Sequence, residues 1–296
     1  MKLPPFAYLA PTTLPEAIGA LTDGGPDAKL LAGGQSFIPL LAFRFARPAL
    51  VVDLNRIPEL AFVRALDDGG LAVGAMTRTS ELELSPLVGE RWPLAREAAP
   101  QIGHRQIRNR GTVGGSIAHA DPAAELPAVA LATGATLVVR GSGGERTIPA
   151  EEFFVSVFAT ALEPGEVLCE IRVPAPARGL GSAFVEVSRR RGDFALAGAA
   201  ATVTLEDGVC SAVSLVMIGL GATPVAVPRA AEVLRGAAVD EERVRAAADE
   251  VAAVIDPGSD LHARAAYRRE LAAVVARRAL LEAAGRARLT PTRAPG

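Results

Sequence analysis

Lys29-Leu-Leu-Ala-Gly-Gly-Gln-Ser36 runs a short apolar segment into a glycine pair and a hydroxyl residue, and Ala49-Leu-Val-Val-Asp53 follows as a second apolar run. The first reads as a strand ending in Gly33-Gly34, with Ser36 as the cap of a short helix and Ala49–Asp53 as the next strand. Strand, helix and strand in that order predict a parallel α/β unit. Upstream, Leu14, Ala17, Ile18 and Leu21 recur at helical spacing, with Pro15 and Glu16 suited to a first turn and Asp23-Gly24-Gly25-Pro26 as the stop.

From about Arg56 the pattern becomes mixed α+β. Leu71–Gly74 is strand-like, Thr79–Leu87 and Leu94–Ala99 are helix-like, and Arg108-Asn-Arg-Gly-Thr-Val-Gly-Gly-Ser116 is a second glycine-rich loop. A helix is expected over Ala123–Thr133, and strands over Ala135–Arg140 and Glu166–Val173. Pro174-Ala-Pro-Ala-Arg-Gly-Leu-Gly181 has linker composition and marks a domain boundary. Beyond it, strands are expected over Ser182–Ser188, Ala195–Glu206 and Ala212–Leu220, with Asp207-Gly208 as a hairpin turn. Helices follow from Pro228 to Leu234, from Asp240 to Val254 and from Asp260 to Ala284. In the last, Tyr267, Leu271, Val274 and Val275 form an apolar stripe expected to face the sheet, and Thr290–Gly296 reads as a frayed tail.

Composition excludes more than it selects. The chain has 296 residues, 50% hydrophobic and 22% charged, with a net charge of −2 and a pI near 6.0, a poor match to nucleic-acid or anionic-membrane binding. Lys2 and Lys29 are the only lysines, and the arginine excess reads as codon bias rather than as an anion-binding surface. Cys169 and Cys210 are too few and too far apart for a zinc site, a disulfide framework or an iron–sulfur cluster. Pro4, Pro5 and Pro11 interrupt any signal-peptide core, and Ala212–Val227 is too short and broken to span a membrane, so a cytoplasmic protein is expected.

Both glycine segments carry devices that cradle phosphate: glycines that let a backbone come close, N–H groups that can turn toward an anion, and hydroxyls at Ser36, Thr112 and Ser116. Spacing does not show whether the two meet. Neither is the GxGxxG of a Rossmann site, and no P-loop is present. His119 and Asp121 could serve acid–base chemistry or could satisfy backbone groups in the turn before Ala123; the second reading is preferred. His104 and His262 stand alone, and no Ser-His-Asp set or metal-ligand cluster occurs.

Leu31-Ala-Gly-Gly-Gln-Ser36 with Val51-Val-Asp-Leu54, then Ile107-Arg-Asn-Arg-Gly-Thr-Val-Gly-Gly-Ser-Ile-Ala-His-Ala-Asp-Pro122, then Arg190-Arg-Gly-Asp-Phe-Ala195, closely resembles the FAD-binding medium subunits of molybdenum hydroxylases, the carbon monoxide dehydrogenase and xanthine dehydrogenase relatives. The resemblance extends over nearly the whole chain, including Tyr267-Arg-Arg-Glu-Leu271. It implies an α+β fold: a vanillyl-alcohol-oxidase-type FAD-binding domain of two α/β subdomains over residues 1–176, divided at about 55/56, then a C-terminal domain over 177–288 with a three-stranded antiparallel sheet and helices, and a tail over 289–296. By motif, Leu31, Ala32, Gly33, Gly34, Gln35 and Ser36 match one FAD loop, and Thr112, Val113, Gly114, Gly115 and Ser116 the other. Glu125 stands where relatives usually carry Asp near the cofactor, and Ile102 and Leu168 match apolar contacts to its rings. Arg189 and Asp193 belong to a motif that is either structural or at the flavin edge.

The same resemblance implies noncovalent FAD as an electron relay. Electrons would arrive from two-iron clusters on a small subunit, fed by a molybdenum cofactor on a large subunit, in a dimer of heterotrimers, and leave to an external acceptor. No catalytic residue, nucleic acid or transmembrane segment is implied. The rivals are a free-standing FAD-dependent oxidase or reductase of the same superfamily and a scaffold that has lost flavin.

Overall fold

The computed structural model describes residues 2–290. Its N-terminal sheet is built from β1 (Ala7–Leu9), β2 (Ala28–Leu31) and β3 (Leu50–Asp53), with α1 (Leu14–Gly24) and α2 (Phe37–Ala42) between them. The order is β1-β3-β2 and both pairings are parallel, the topology expected from the strand–helix–strand reading. Thr13 caps α1, its Oγ1 accepting from Glu16 N at 3.4 Å, and Leu14, Ala17 and Leu21 bury the face toward the sheet. Ser36 occupies the cap position of α2 but makes no capping hydrogen bond, a correction to its expected role.

The second unit runs through β4 (Val63–Ala65), β5 (Leu71–Gly74), α3 (Thr79–Leu84), α4 (Pro86–Arg91), α5 (Pro93–Ala98), α6 (Arg105–Arg108), α7 (Val113–His119), α8 (Glu125–Ala132), β6 (Thr136–Gly141), β7 (Gly144–Pro149), α9 (Ala150–Phe153), β8 (Phe154–Ser156), β9 (Ala159–Thr160) and β10 (Val167–Val173). Five of its strands form an antiparallel sheet in the order β4-β5-β10-β6-β7. The expected helix over Thr79–Leu87 breaks at Ser85, which Pro86 pushes to extended geometry (φ −67°, ψ 122°) and which then caps α4. Strand β7 was not foreseen: only its Ile148 is buried, so its sequence shows no alternation. The glycine-rich segment after Arg108 is not a loop throughout, because Thr112 starts helix α7.

The C-terminal unit holds β11 (Leu180–Ser188), β12 (Ala195–Glu206), β13 (Val209–Ile218), β14 (Val225–Ala226), α10 (Pro228–Leu234), α11 (Glu241–Asp249) and α12 (Ala265–Leu289). Asp207 (φ 49°) and Gly208 (φ 83°) make the β12–β13 turn with two left-handed residues, as the Asp-Gly pair predicts. The expected three-stranded sheet gains a fourth member, β14, whose two residues are too short to leave a sequence pattern.

The stripe expected on the last helix holds at two of its four positions, Val275 being buried and Leu271 packing against the core, and is corrected at the other two. Tyr267 is 47% and Val274 42% exposed, and α12 also buries Arg268, Ala272, Ala276, Ala279, Leu280, Ala283, Ala284 and Ala287. Alanines let the helix lie close on the sheet, so close that a side chain at Gly181 would run into the backbone of Ala283 and Ala287. Leu289 ends α12 and Thr290 Oγ1 donates to Leu180 O at 3.1 Å; the rest of the expected tail, residues 291–296, lies outside the described residues.

The two faces of the C-terminal sheet do different things. Ala183, Ala197, Ala199 and Ala201 pack with α12, whereas Phe184, Ala200, Val216 and Ile218 join the core built from Leu71, Trp92, Leu126 and Ile171. That core therefore runs across the junction between the two halves of the chain. Gly219 N donating to Pro122 O at 2.9 Å and an Arg286–Glu97 ion pair fasten the same junction.

Candidate functional site

Three side chains fix the backbone of the first glycine segment. Asp53 Oδ1 accepts from Asn55 N at 2.8 Å and from Asn55 Nδ2, and Asn55 Nδ2 also donates to Ala32 O at 2.8 Å. Gln35 Nε2 donates to Gly33 O at 3.1 Å, and Gly34 O accepts from Ile38 N at 3.0 Å. In a trans peptide the N–H lies opposite the carbonyl, so these bonds turn the N–H groups of Gly33, Gly34 and Gln35 the other way. They and the N–H of Ser36 donate to no acceptor among the described residues. Gly34, at φ +74°, supplies a left-handed conformation that favours glycine.

The second segment is spent on itself and on its neighbours. Val113 N donates to Thr77 O (2.9 Å), Gly114 N to Ala75 O (2.8 Å), Gly115 N to Thr112 Oγ1 (3.1 Å) and Ser116 N to Thr112 O (3.0 Å). Gly114 lies so close on Ala75 that any Cβ would overlap it. What remains to offer a ligand is the N–H of Thr112, the Ser116 hydroxyl and the bare surface of Gly115.

The two segments meet. A Cβ on Gly33 would lie 2.5 Å from Arg110 O and 2.7 Å from Gly111 Cα, and one on Gly115 would lie 3.3 Å from Ala32 Cβ. Arg78 ties them together, Nη1 donating to Arg110 O at 2.6 Å and Nη2 to Asn55 Oδ1 at 2.7 Å. Burial first and Arg110 second lower the Arg78 pKa, yet a guanidinium stays charged, so the junction is positive. A cradle of free amides beside two arginines suits a diphosphate and fits the ADP-linked portion of FAD. Asn55 and Arg78 escaped the sequence reading: Asn55 adjoins the quoted Val51–Leu54 motif, and Arg78 is one arginine among many.

The remaining predicted residues are spread over two environments. Val113 and Leu168 are buried in the main core, and half-buried Ile102 packs against it. Glu125 opens α8, is 7% exposed, and makes no hydrogen bond to another residue; burial first, then Glu186 and Asp121, raise its carboxyl to about 8. Asp121 Oδ1 accepts from Ala123 N at 2.8 Å, the turn role preferred above, while His119 stacks on Phe158 with ring centroids 4.9 Å apart and burial lowers its pKa. Arg189 Nη1 meets His262 Nδ1 at 2.9 Å, and Gly192 packs on Gly103 and His104, so this motif touches the N-terminal half of the chain through its glycine. Asp193 is exposed.

A family model described as the FAD binding domain in molybdopterin dehydrogenase matches residues 4–176, and one described as the CO dehydrogenase flavoprotein C-terminal domain matches 182–283. The chain belongs to this family. It is an oxidoreductase subunit whose cofactor is FAD. Among its relatives, the 6-hydroxypseudooxynicotine dehydrogenase complex subunit alpha of Paenarthrobacter nicotinovorans is 44% identical, over 98% of each chain. The carbon monoxide dehydrogenase medium chain of Hydrogenophaga pseudoflava is 41% identical, over 94% of this chain and 96% of that one. The solved carbon monoxide dehydrogenase of Hydrogenophaga pseudoflava that lacks the Mo-pyranopterin moiety of its molybdenum cofactor superposes with a TM-score of 0.94, at 42% identity over 97% of this chain and 99% of that one. No helix of the described residues is long and apolar enough to cross a membrane, and no cluster of three or more His, Cys, Asp or Glu among them could hold a metal.

Proposed function

We propose that this chain holds FAD noncovalently as the electron-transfer subunit of a molybdenum hydroxylase complex. Its partners in this reading are a large subunit carrying the molybdenum cofactor and a small subunit carrying two-iron clusters, assembled as a dimer of heterotrimers in the cytoplasm. The observation that carries the reading is the meeting of the two glycine segments, with the amides of Gly33, Gly34, Gln35 and Ser36 unspent at their junction. Residues 1–176 form the vanillyl-alcohol-oxidase-type domain, with subdomains over about 1–55 and 56–176, and residues 177–288 the C-terminal domain.

FAD, when bound, supplies one- and two-electron chemistry that no side chain can. The protein supplies position. The four amides and the hydroxyls of Ser36 and Ser116 bind the diphosphate, with Leu31, Ala32 and Gln35 forming the rest of that wall. Thr112, Val113, Gly114 and Gly115 set the opposite wall, whose lack of side chains allows close approach. Arg78 and Arg110 lower the electrostatic cost of bringing an anion to a half-buried site. Ile102 and Leu168 line the ring contacts, and Glu125 provides a carboxyl there that is largely neutral at neutral pH.

The purified chain should show a bound-flavin visible spectrum, release its flavin on acid precipitation, and co-purify with cluster- and molybdenum-bearing subunits. Colourless protein that takes up no added FAD would refute the reading, and a flavoprotein that alone oxidises a small substrate would support a solitary enzyme instead.

A further inference from the structure

Asp53 closes β3 at the same end of the parallel sheet at which β2 runs into the first glycine segment, and Leu31 lies beside it in register. Its carboxylate receives three donors. Oδ1 accepts from Asn55 N and Asn55 Nδ2, and Oδ2 accepts from the Tyr8 hydroxyl, at 2.6 Å, on the neighbouring strand β1. The bond to Asn55 N caps a 3₁₀ turn over Leu54–Arg56, so Asp53 sets the backbone of Asn55 as well as its side chain. The bond from Tyr8 holds the Tyr8 pKa above its ordinary value, so that hydroxyl stays a donor.

Asn55 is the node through which this acid reaches the cradle. Its Nδ2 donates to Asp53 Oδ1 and Ala32 O, while its Oδ1 accepts from Arg78 Nη2 at 2.7 Å. Turned over, the amide would set its oxygen against two acceptors and its NH2 against a guanidinium that can only donate, so the three partners admit one orientation. In that orientation the bond to Ala32 O turns the Gly33 N–H away from Asn55, and Arg78 holds with its other nitrogen Arg110 O, the atom against which the Gly33 backbone lies. Charge alone opposes an acid at this place. One nitrogen bonds both Asp53 Oδ1 and Ala32 O, which puts the carboxylate within about 6 Å of the first glycine segment, and a like charge at that range disfavours a diphosphate.

We propose that Asp53 is a positioning residue for the diphosphate of FAD: acting through Asn55, it strengthens the binding of an anion that its own charge repels. The inference rests on the FAD reading above and deepens it. Asp53 itself touches no ligand in this role, its two oxygens being engaged by Tyr8 and Asn55. The effect belongs to the diphosphate, because the bonds that Asn55 makes beyond Asp53 end at Ala32 O, which orients the first free amide, and at Arg78, which joins the two glycine segments. Removing the carboxylate therefore has two opposed consequences, relief of a repulsion and loss of the Asn55 orientation, and the second is the larger.

The test uses the full-length apo-protein, titrated with FAD, ADP and riboflavin, for the wild type, Asp53→Asn, Asp53→Ala, Asn55→Ala and the double variant Asp53→Ala with Asn55→Ala. Asp53→Ala should weaken FAD and ADP about tenfold, the size of one charge-assisted hydrogen bond, and leave riboflavin, which has no diphosphate, unchanged. Asp53→Asn keeps an acceptor toward Asn55 without the charge, so it should bind ADP as well as the wild type or better. Asn55→Ala should itself weaken ADP, and adding Asp53→Ala to it should weaken ADP no further, as when one residue acts through another. Should Asp53→Ala fail to fold, Asp53→Ser takes its place with the same expectation, since a serine still caps the turn but is too short to hold the Asn55 amide. Tighter ADP binding in Asp53→Ala leaves only the charge effect and overturns the proposal, as does unchanged binding, riboflavin weakened as much as ADP, or a full second loss in the double variant. If the wild-type protein takes up neither FAD nor ADP, the cofactor reading falls; if it binds both and Asp53→Ala matches it, only the role of Asp53 falls.

Discussion

At Gly33–Ser36 four amides end without an acceptor, whereas at Val113–Ser116 four amides of similar sequence context are already bonded, two of them to the segment Ala75–Thr77 and two to Thr112. The first segment is held by its carbonyls, through Asn55, Gln35 and the start of α2, which leaves its donors outward. The second is held by its donors, which leaves little but surface. A binding site built from one segment of each kind separates recognition from support, and the second segment keeps the first from collapsing onto its own amides. Such preorganisation matters because a ligand that must first order its receptor loses part of its binding energy in doing so.

The largest disruption of this division should come from Gly33→Val. The new side chain cannot fit between Ala32 and Arg110 O, 2.5 Å from its Cβ, so the segments separate; overpacking of this kind costs about 1–3 kcal/mol. FAD occupancy of the purified chain, read as the ratio of flavin to protein absorbance, should fall at least about tenfold. Near-full occupancy would show that the segments need not touch to bind.

A change outside both segments sets the scale for these effects. The Glu125 carboxyl is raised from 4.5 to about 8, so between those pH values the folded apo-protein holds a proton that the unfolded chain has released. Stability from this group is complete below pH 4.5 and is lost as pH rises through about 8. Glu125→Gln should flatten the fall in apo melting temperature over that window; an unchanged pH profile would assign it to other groups.

The smallest effects should also be the most discriminating. Thr112→Ala removes the cap on Gly115 N and should cost about 1 kcal/mol of stability, with FAD affinity following only as far as α7 frays. Ser36→Ala removes a hydroxyl that caps nothing, so stability should hold within about 0.5 kcal/mol while FAD affinity drops about fivefold. If thermal melts and FAD titrations gave these two variants the same pattern, the contrast between the segments would be lost.

What could be read from the sequence was local. Lys29–Asp53 announced a parallel unit because its apolar runs and breakers sit within one turn of each other, and Asp207-Gly208 announced a hairpin because few other pairs accept two left-handed residues. Bulk is an incomplete signal for the buried face of α12: Val275 and Leu271 meet the core, Tyr267 and Val274 do not, and the close approach to the sheet is made mainly by alanines. Asn55 and Arg78 were invisible because each acts across the fold: Asn55 bonds Ala32, 23 positions away, and Arg78 bonds residues 23 and 32 positions away. The meeting of the glycine segments likewise depends on the Arg78–Thr112 bridge between β5 and α7, which no spacing rule encodes.

The apolar core that joins Phe184, Ala200, Val216 and Ile218 to Leu71, Trp92 and Ile171 makes the two halves of the chain one cooperative unit. A ligand seated among the glycine segments then adds RT ln(1 + [L]/Kd) to the unfolding free energy of the whole molecule, including helices such as α10 and α11 on the far side of the C-terminal sheet. Cofactor scarcity would be felt as lability of every part of the chain at once, so a protease acting on the C-terminal half would report how full the N-terminal half is.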